Sequence, residues 1–192
     1  MLRIVLNSRW LIWGLLALPA LAMVNGYASA QADAGDLLHP SGETSARLMI
    51  VAMMIGPLVD LLGPRSWLLW MMQRRRWFGV AAFVYALVHL VFYLIDMGNF
   101  PDMLAELGAP GIWTGWLAFL VMLAAATTSN DAAVRALRRN WTRVQQTVYG
   151  VALLTLAHWY FLAPEIGPAL VHFVPLILLY LLRLAKLRRK FA

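Results

Sequence analysis

The stretch Arg74-Arg-Arg-Trp-Phe-Gly-Val-Ala-Ala-Phe-Val-Tyr-Ala-Leu-Val-His-Leu-Val-Phe-Tyr93 predicts the fold of the whole chain. It begins with three adjacent arginines and then becomes almost wholly apolar, as a helix does that enters a membrane at its cationic end. One ionisable side chain, His89, interrupts the apolar run about a dozen residues after it starts. Such a side chain is costly inside hydrocarbon unless it is paired, bound to a ligand or facing a polar cavity. His89 is therefore a candidate functional residue.

The composition is that of an integral membrane protein. Of the 192 residues, 62% are hydrophobic and only 13% are charged, which is far from the mix of a soluble domain. A membrane span takes about 20 residues, so six spans with short loops use nearly the whole chain. We therefore expect a single helical-bundle domain over residues 1–192.

Residue content argues against several kinds of site. The chain has no cysteine, which rules out disulfides, thiolate metal sites and cysteine nucleophiles. The net charge of +7 is compatible with nucleic-acid binding, but the cations stand in small clusters beside apolar runs. Such clusters, including the arginines at 74–76, are typical of topology signals and contacts with lipid headgroups. We expect membrane lipid as a partner and no nucleic acid.

Hydropathy predicts six transmembrane helices. They are expected at about residues 10–24, 44–62, 77–97, 112–128 and 144–162, with a sixth that ends among the C-terminal cations. The first resembles a signal peptide, because the apolar run is followed by the small residues Ala28-Ser29-Ala30. Since the chain starts at Met1, we expect this segment to be retained as a first helix.

The charges of the connecting segments alternate along the chain. Cations lie at the N-terminus, after the second and fourth helices and at the C-terminus, whereas the other three connections carry acids and prolines. The positive-inside rule then places both termini in the cytoplasm. Six is the only number of spans that satisfies every connection.

Two histidines are predicted at the same depth in the bilayer. His89 lies 13 residues after Arg76, and His158 lies 15 residues after Arg143, so each is roughly 20 Å from the cytoplasmic end of its helix. A haem iron between two imidazoles would satisfy both side chains and fill the space between facing helices. The alternative is that each histidine hydrogen-bonds to a neighbouring helix and helps to pack the bundle.

Three further polar residues are candidates for supporting roles. Arg47 follows Glu43 by four residues, so an ion pair at a helix end is the simplest interpretation. His39 is expected in a solvated loop. His172, near the outer end of the last helix, is predicted to be structural, with contact to the edge of a quinone or haem as the alternative.

A set of short motifs is spread over residues 38–162. They are Gly42-Glu-Thr-Ser-Ala-Arg47, Gly56-Pro57-Leu58, Arg75-Arg76-Trp-Phe-Gly79, Phe83, Tyr85, His89, Tyr93, Thr114-Gly115, Thr128-Ser129, Arg139, Trp141, Tyr149 and His158-Trp159-Tyr160. Together they resemble the MsrQ/YedZ-type haem-binding membrane subunits of the ferric-reductase-like transmembrane domain family.

The resemblance implies a cofactor, a reaction and a location. It implies six helices around haem b in the bacterial inner membrane, with His89 and His158 as ligands and a contact of Arg47 with a haem propionate. Electrons would pass from quinol or a flavin-bearing reductase to a periplasmic reductase, so FMN or a quinone is a further cofactor that the resemblance allows. The chain would then be an electron-transfer subunit of an oxidoreductase and not a complete enzyme.

One position departs from the family pattern. Family members carry Trp-x-x-Leu-His-x-x-Val-Tyr at the start of helix five, whereas this chain reads Trp141-Thr-Arg-Val-Gln145-Gln-Thr-Val-Tyr149. An amide is a poor ligand for haem iron compared with imidazole, so we expect one haem, at the outer site. Either quinol reaches that haem directly, or another group fills the inner site. The alternative function is that of an accessory or assembly subunit of a larger membrane complex, without full transmembrane electron transfer.

Overall fold

The structure is a computed structural model that describes residues 8–163 and 165–191, with side chains up to residue 189. In this part of the chain we number nine helices and find no strand: α1 (Arg9–Ala28), α2 (Ala34–Leu62), α3 (Ser66–Met97), α4 (Phe100–Glu106), α5 (Pro110–Thr127), α6 (Asp131–Leu137), α7 (Arg139–Gln146), α8 (Val148–Leu162) and α9 (Gly167–Phe191). The predicted all-helical class is confirmed. The N-terminal cation Arg3 and the predicted turn residue Pro164 lie outside the described residues.

Five of the described helices are long and apolar enough to cross a membrane, namely α1, α2, α3, α5 and α9. The segment predicted as the fifth span corresponds to α8, which has 15 residues. A helix of that length reaches about 22 Å, less than the roughly 30 Å of a typical hydrocarbon core. The six-span count and the cytoplasmic placement of both termini therefore stay predictions.

Helix α2 begins ten residues before the predicted start at Thr44, so most of the predicted outer loop is helical. Asp33 precedes the helix, and its backbone N–H donates to the Asp36 carboxylate at 3.1 Å. This reciprocal cap satisfies donors that the first helical turn leaves free. Acids and prolines were taken as loop signals, but here they start a helix, and His39 consequently lies on α2.

Helix α3 also begins earlier than predicted, at Ser66 and not at Trp77. The three arginines are therefore helical, and each has a protein partner. Arg74 is buried with its guanidinium over the Trp70 ring at 4.3 Å, and Arg75 donates to a backbone carbonyl of α2 at 2.8 Å. Arg76 pairs with Asp131 at 2.7 Å and holds the pKa of that exposed carboxyl below its usual range.

The segment predicted as helix five is divided into α7 and α8 at Thr147. The Thr147 hydroxyl donates to the carbonyl of Val144, three residues back, at 2.7 Å. Threonine side chains that bond locally in this way offer the backbone an alternative to the regular helical ladder. The break gives α8 its short length.

The bundle is built from two closely packed helix pairs. Helix α2 packs along α3, α5 packs along α8, and α9 lies against α2. Contact between the two pairs is much sparser, although one cluster of buried apolar side chains draws members from all five of these helices. His89 lies on α3 and His158 lies on α8, so the two histidines belong to different pairs.

Helix α1 is joined to the bundle through a tyrosine. The Tyr85 ring is 2% exposed, and its hydroxyl donates to Leu16 O at 2.7 Å and accepts from Ala20 N at 2.9 Å. These are the groups that a regular helix would pair directly, and Pro19 lies between them. A polar side chain inserted into a helical ladder beside a proline compensates for the broken bonding pattern.

We predict that Tyr85→Phe loosens the attachment of α1. Removing the hydroxyl leaves one donor and one acceptor of α1 to re-pair or remain unsatisfied, at a cost of about 1 kcal/mol. That cost corresponds to a Tm lower by about 2–4 °C for a chain of this size. Thermal unfolding of the detergent-solubilised protein measures it, with Tyr93→Phe as control, because the Tyr93 hydroxyl makes only a 3.5 Å contact with Glu106. Equal Tm values for the two variants would contradict the role of Tyr85.

Candidate functional site

A cavity of about 670 Å³ lies between the two helix pairs. Its volume is in the range of about 300–1,000 Å³ that is usual for small-molecule and cofactor sites. His89 and His158 are both on its wall. The other polar side chains on a mostly apolar wall are His39, Glu43, Ser45, Tyr93, Thr155 and Glu165. Because the two helix pairs contact one another only sparsely, the gap between them forms the cavity.

The two candidate histidines lie beside one another, as their predicted equal depth requires. The ring centroids of His89 and His158 are 6.1 Å apart, and the ring planes are perpendicular at 88°. Both side chains are half-buried. Two imidazoles from different helix pairs therefore meet at one place in the cavity.

Backbone carbonyls fix the orientation and the tautomer of both rings. The Nδ1 of His89 is 2.8 Å from Leu38 O on α2, and the Nδ1 of His158 is 2.6 Å from Gly111 O on α5. Because a carbonyl can only accept, each Nδ1 must carry the proton. The Nε2 of each neutral ring then keeps a lone pair that is available to a metal. Metal-binding histidines commonly donate their other ring nitrogen to a carbonyl in this way.

Two glycines leave the space that the imidazoles occupy. A Cβ placed on Gly115 would lie 2.6 Å from Nδ1 and Cε1 of His158, and one on Gly42 would lie 3.1 Å from Nδ1 of His89. The first distance is shorter than packed carbon and nitrogen atoms tolerate. Gly115 on α5 is therefore required for the observed position of the His158 ring, and Gly42 on α2 allows the close approach of His89.

Among the described residues, no group of three or more histidine, cysteine, aspartate or glutamate side chains is arranged to hold a metal ion. The cavity offers a pair of nitrogen ligands from opposite walls. Such a pair suits a metal whose remaining positions are filled by a flat macrocycle, as in haem iron.

A polar cluster borders the cavity on the extracytoplasmic side of the predicted topology. Glu43 pairs with Arg47 at 2.7 Å and accepts from Nε2 of His172 at 2.8 Å. The same Nε2 is 3.4 Å from Arg47 Nε, but a nitrogen that donates to Glu43 cannot also accept from Arg47. The shorter contact is therefore the hydrogen bond, and Glu43 joins two cationic or donor groups.

The cluster assigns structural partners to three residues that were candidates from the sequence. The expected ion pair of Arg47 with Glu43 is present, and Arg47 is not among the cavity-lining residues. His172 has the structural hydrogen bond that was favoured for it. His39 is exposed, as expected, but it lies on α2 and its ring contacts Trp159 at 5.5 Å.

No role was predicted for Trp159 from the sequence, beyond its place in a motif. The ring is 8% exposed and borders the cavity, and its indole N–H has no hydrogen-bond partner among the described residues. Its position directly after His158 was a signal of proximity to the site. Whether the indole N–H has a hydrogen-bond partner depends on the tertiary structure and cannot be read from the spacing of residues in the sequence.

Gln145 is bound to the inner end of α5. Its Nε2 donates to Ala125 O at 2.9 Å and to Thr128 Oγ1 at 3.1 Å, and its Oε1 lies 3.4 Å from Ser129 Oγ. Trp141 Nε1 donates to Thr128 O nearby at 2.9 Å. The amide therefore connects α7 to α5 and fills its own hydrogen-bonding capacity with protein groups.

Comparison with known families agrees with this arrangement. The model of the family described as Ferric reductase like transmembrane component matches residues 41–156. The matched segment contains His89 and Gln145 and ends before His158. No solved structure matches the chain.

Several curated relatives share the description protein-methionine-sulfoxide reductase heme-binding subunit MsrQ. A relative from Xanthomonas oryzae pv. oryzae is 34% identical over 130 residues, which are 66% of this chain and 58% of the relative. A relative from Pectobacterium atrosepticum is 31% identical over 176 residues, which are 88% of this chain and 85% of the relative. The chain thus spans little more than half the length of the Xanthomonas relatives and most of the Pectobacterium one.

We predict that Gly115→Ala disturbs the site through His158. The added methyl group displaces the ring and weakens its bond to Gly111, a cost of about 1–3 kcal/mol by analogy with overpacked cores. Thermal unfolding measures the loss of stability, and the imidazole resonances of ¹⁵N-labelled histidine report the displaced ring. Gly150→Ala is the matched control, because a Cβ there meets nothing within 4 Å. A Gly115→Ala protein as stable as this control, with unchanged histidine resonances, would rule out the steric role.

Proposed function

Because the chain belongs to the ferric reductase like transmembrane component family, with MsrQ heme-binding subunits among its relatives, we propose that it is a b-type cytochrome subunit of a membrane oxidoreductase. In this proposal one haem is held between His89 and His158. The observation that carries it is the pair of imidazoles, 6.1 Å apart in one cavity, each with Nδ1 bonded to a carbonyl.

The residues present fit a haem in three respects. The two imidazoles come from opposite walls of one cavity with ring centroids 6.1 Å apart, so both could contribute a nitrogen to one metal ion. The cavity is apolar and of cofactor size. Each ring also has its Nδ1 on a backbone carbonyl, which leaves its Nε2 for a metal.

The protein's contribution to electron transfer is to hold and tune the cofactor. A haem held by His89 and His158 would supply one-electron redox chemistry. The Leu38 and Gly111 carbonyls keep both Nε2 atoms unprotonated and directed by fixed rings. The apolar wall limits access of water, which influences the reduction potential of a buried haem. A contact of Arg47 with a haem carboxylate stays a prediction, since its guanidinium is engaged by Glu43.

The donor, the acceptor and the location complete the proposal. Electrons come from quinol or a flavin-bearing reductase, with FMN or a quinone as further cofactors, and leave to a periplasmic reductase. The protein lies in the bacterial inner membrane, as one domain over residues 1–192 with six spans and both termini in the cytoplasm. Family membership and the five long apolar helices support this placement.

The bonding of Gln145 favours a second candidate function. The Gln145 amide is hydrogen-bonded to residues at the end of α5, so it is satisfied without binding a metal. Without an inner haem, roughly 20 Å of helix separate Arg76 from the level of His89. The chain would then act as an accessory or assembly subunit of a larger membrane complex, and it would keep the fold without full transmembrane electron transfer.

We predict a reduced-minus-oxidised b-type absorption difference for the purified protein. His89→Ala and His158→Ala should each abolish it, because each removes one of the two imidazoles that would hold the haem, whereas His172→Gln should retain it, because His172 does not line the cavity. Absorption spectra in detergent measure all four proteins. A colourless wild-type protein under haem-replete expression would reject the cytochrome function and leave the accessory role as the better description.

We also predict one haem per chain. Gln145→Ala should leave this ratio unchanged and lower stability by about 1–2 kcal/mol, since two hydrogen bonds between α7 and α5 are lost. The pyridine haemochrome assay with protein quantification gives the ratio, and thermal unfolding gives the stability. Gln146→Ala controls for loss of an exposed amide. Two haems in the wild-type protein, falling to one in Gln145→Ala, would show that Gln145 belongs to a second haem site.

A further inference from the structure

The carbonyls that hold the two histidines lie in the same local setting on two different helices. Helix α2 reads Leu38-His-Pro-Ser41-Gly42, and α5 reads Gly111-Ile-Trp-Thr114-Gly115. In each segment the first residue supplies the carbonyl that accepts from a histidine, the fourth carries a hydroxyl, and the fifth is the glycine that makes room for the imidazole. The two halves of the site are therefore built alike, although only the glycine is common to both segments.

The hydroxyls of the two segments are deeply buried. Ser41 is 0% exposed and Thr114 is 3% exposed, which makes them the two most buried polar side chains among the described residues. Neither residue lines the cavity. A role of these hydroxyls in the site would therefore act through a neighbouring group.

On α2, the Ser41 hydroxyl shares its hydrogen between two carbonyls. Its Oγ lies 2.6 Å from Leu37 O and 3.0 Å from Leu38 O. The shorter contact is the usual bond of a helical serine to the residue four before it. The longer contact is to the carbonyl that accepts from His89 Nδ1, and the hydroxyl oxygen is itself 3.4 Å from that nitrogen.

On α5, Thr114 repeats this arrangement. Its Oγ1 lies 2.6 Å from Pro110 O, four residues back, and 2.9 Å from Gly111 O. Gly111 O is the carbonyl that accepts from His158 Nδ1 at 2.6 Å. On both helices, one carbonyl thus serves a buried hydroxyl and a histidine of the partner helix.

Two donors that share one acceptor compete for its electron density. A carbonyl inside a helix already accepts from the N–H four residues further on, so the hydroxyl and the imidazole are additional donors to the same oxygen. Each donor withdraws charge from the oxygen and weakens the other bonds to it. The hydroxyl therefore weakens the hydrogen bond that the histidine donates.

We propose that Ser41 and Thr114 are positioning residues that set how strongly His89 and His158 donate to the iron of the proposed haem. The inference rests on the proposed function, since it requires that haem. A histidine that donates a strong hydrogen bond from Nδ1 is a more electron-rich ligand through Nε2, and an electron-rich ligand favours ferric over ferrous iron. By weakening those bonds, the two hydroxyls raise the reduction potential.

The test removes each hydroxyl and measures the midpoint potential of the bound haem by redox titration of its absorption. Thr114→Val keeps the branched shape of threonine, and Ser41→Ala removes the other hydroxyl. We expect each variant to shift the ferric-to-ferrous ratio about threefold towards ferric, the effect of part of one hydrogen bond. For one electron this is a potential more negative by about 30 mV. Thr114→Ser and Ser41→Thr restore a hydroxyl and should keep the wild-type potential.

The chain offers a matched control on each helix. The Thr44 hydroxyl on α2 donates to Pro40 O at 2.7 Å, and the Thr127 hydroxyl on α5 donates to a carbonyl four residues back at 2.8 Å. Neither carbonyl accepts from a histidine of the site. Thr44→Val and Thr127→Val should therefore leave the potential unchanged.

Two redox results would overturn the inference. Wild-type potentials in both Ser41→Ala and Thr114→Val would show that the hydroxyls do not influence the ligands. Equal shifts in Thr44→Val and Thr127→Val would show that any lost hydroxyl has this effect through helix packing. Either half of the site decides the question alone where the variant of the other half does not fold.

A measurement on the haem-free protein tests the shared carbonyls without the cofactor. With ¹⁵N-labelled histidine, the Nδ1–H proton of His158 should move downfield in Thr114→Val, because its hydrogen bond becomes stronger, and that of His89 should do so in Ser41→Ala. Thr127→Val should leave both protons in place. Protons that stay in place or move upfield in the first two variants would overturn the inference.

The failure of the proposed function gives a different result. A wild-type protein that binds no haem would reject that function, and the ligand role of the histidines with it. The downfield shifts in the haem-free variants would then still show that each hydroxyl shares its carbonyl with a histidine. Haem binding with wild-type potentials and unmoved protons would instead reject the inference alone.

Discussion

The hydrogen bonds from two imidazoles to the carbonyls of Leu38 and Gly111 are the contacts on which the proposed site depends. A polar ring inside hydrocarbon has to be satisfied by protein groups, because lipid offers none. Here the Nδ1 of each ring donates a hydrogen bond to a neighbouring helix, which leaves Nε2 for another partner. One arrangement thus makes the histidines tolerable in a membrane and makes them competent ligands.

The helix pairing follows from the same requirement. His89 on α3 bonds to α2, and His158 on α8 bonds to α5, so each bond lies within one closely packed pair. The glycines at 42 and 115 let the rings approach the partner helix. Because the polar bonds are made within the pairs, the space between the pairs stays open and mostly apolar. A cofactor there would join the two halves of the bundle.

The two ends of the bundle differ in the side chains that could support electron transfer. In the predicted topology, the outer half has the two imidazoles, the buried Trp159 ring and the Glu43 cluster around one cavity. In the inner half, the Gln145 amide is hydrogen-bonded to the end of α5 and so connects α7 to α5. An electron entering from the cytoplasmic side would face a long gap, whereas a membrane-dissolved donor could approach the outer site directly. This asymmetry is why an assembly role remains the alternative to full transmembrane transfer.

The sequence by itself determined the helical membrane class and predicted an equal depth for His89 and His158, because depth along a helix is a residue count multiplied by a constant rise. It misplaced the starts of α2 and α3, since Asp36 and Arg74 look like loop residues until their capping and stacking partners are known. It also could not show that Glu43 contacts both Arg47 and His172, or that the Trp159 indole N–H has no partner among the residues that the structure describes. Those properties depend on which side chains converge from three different helices, and only the tertiary structure decides that.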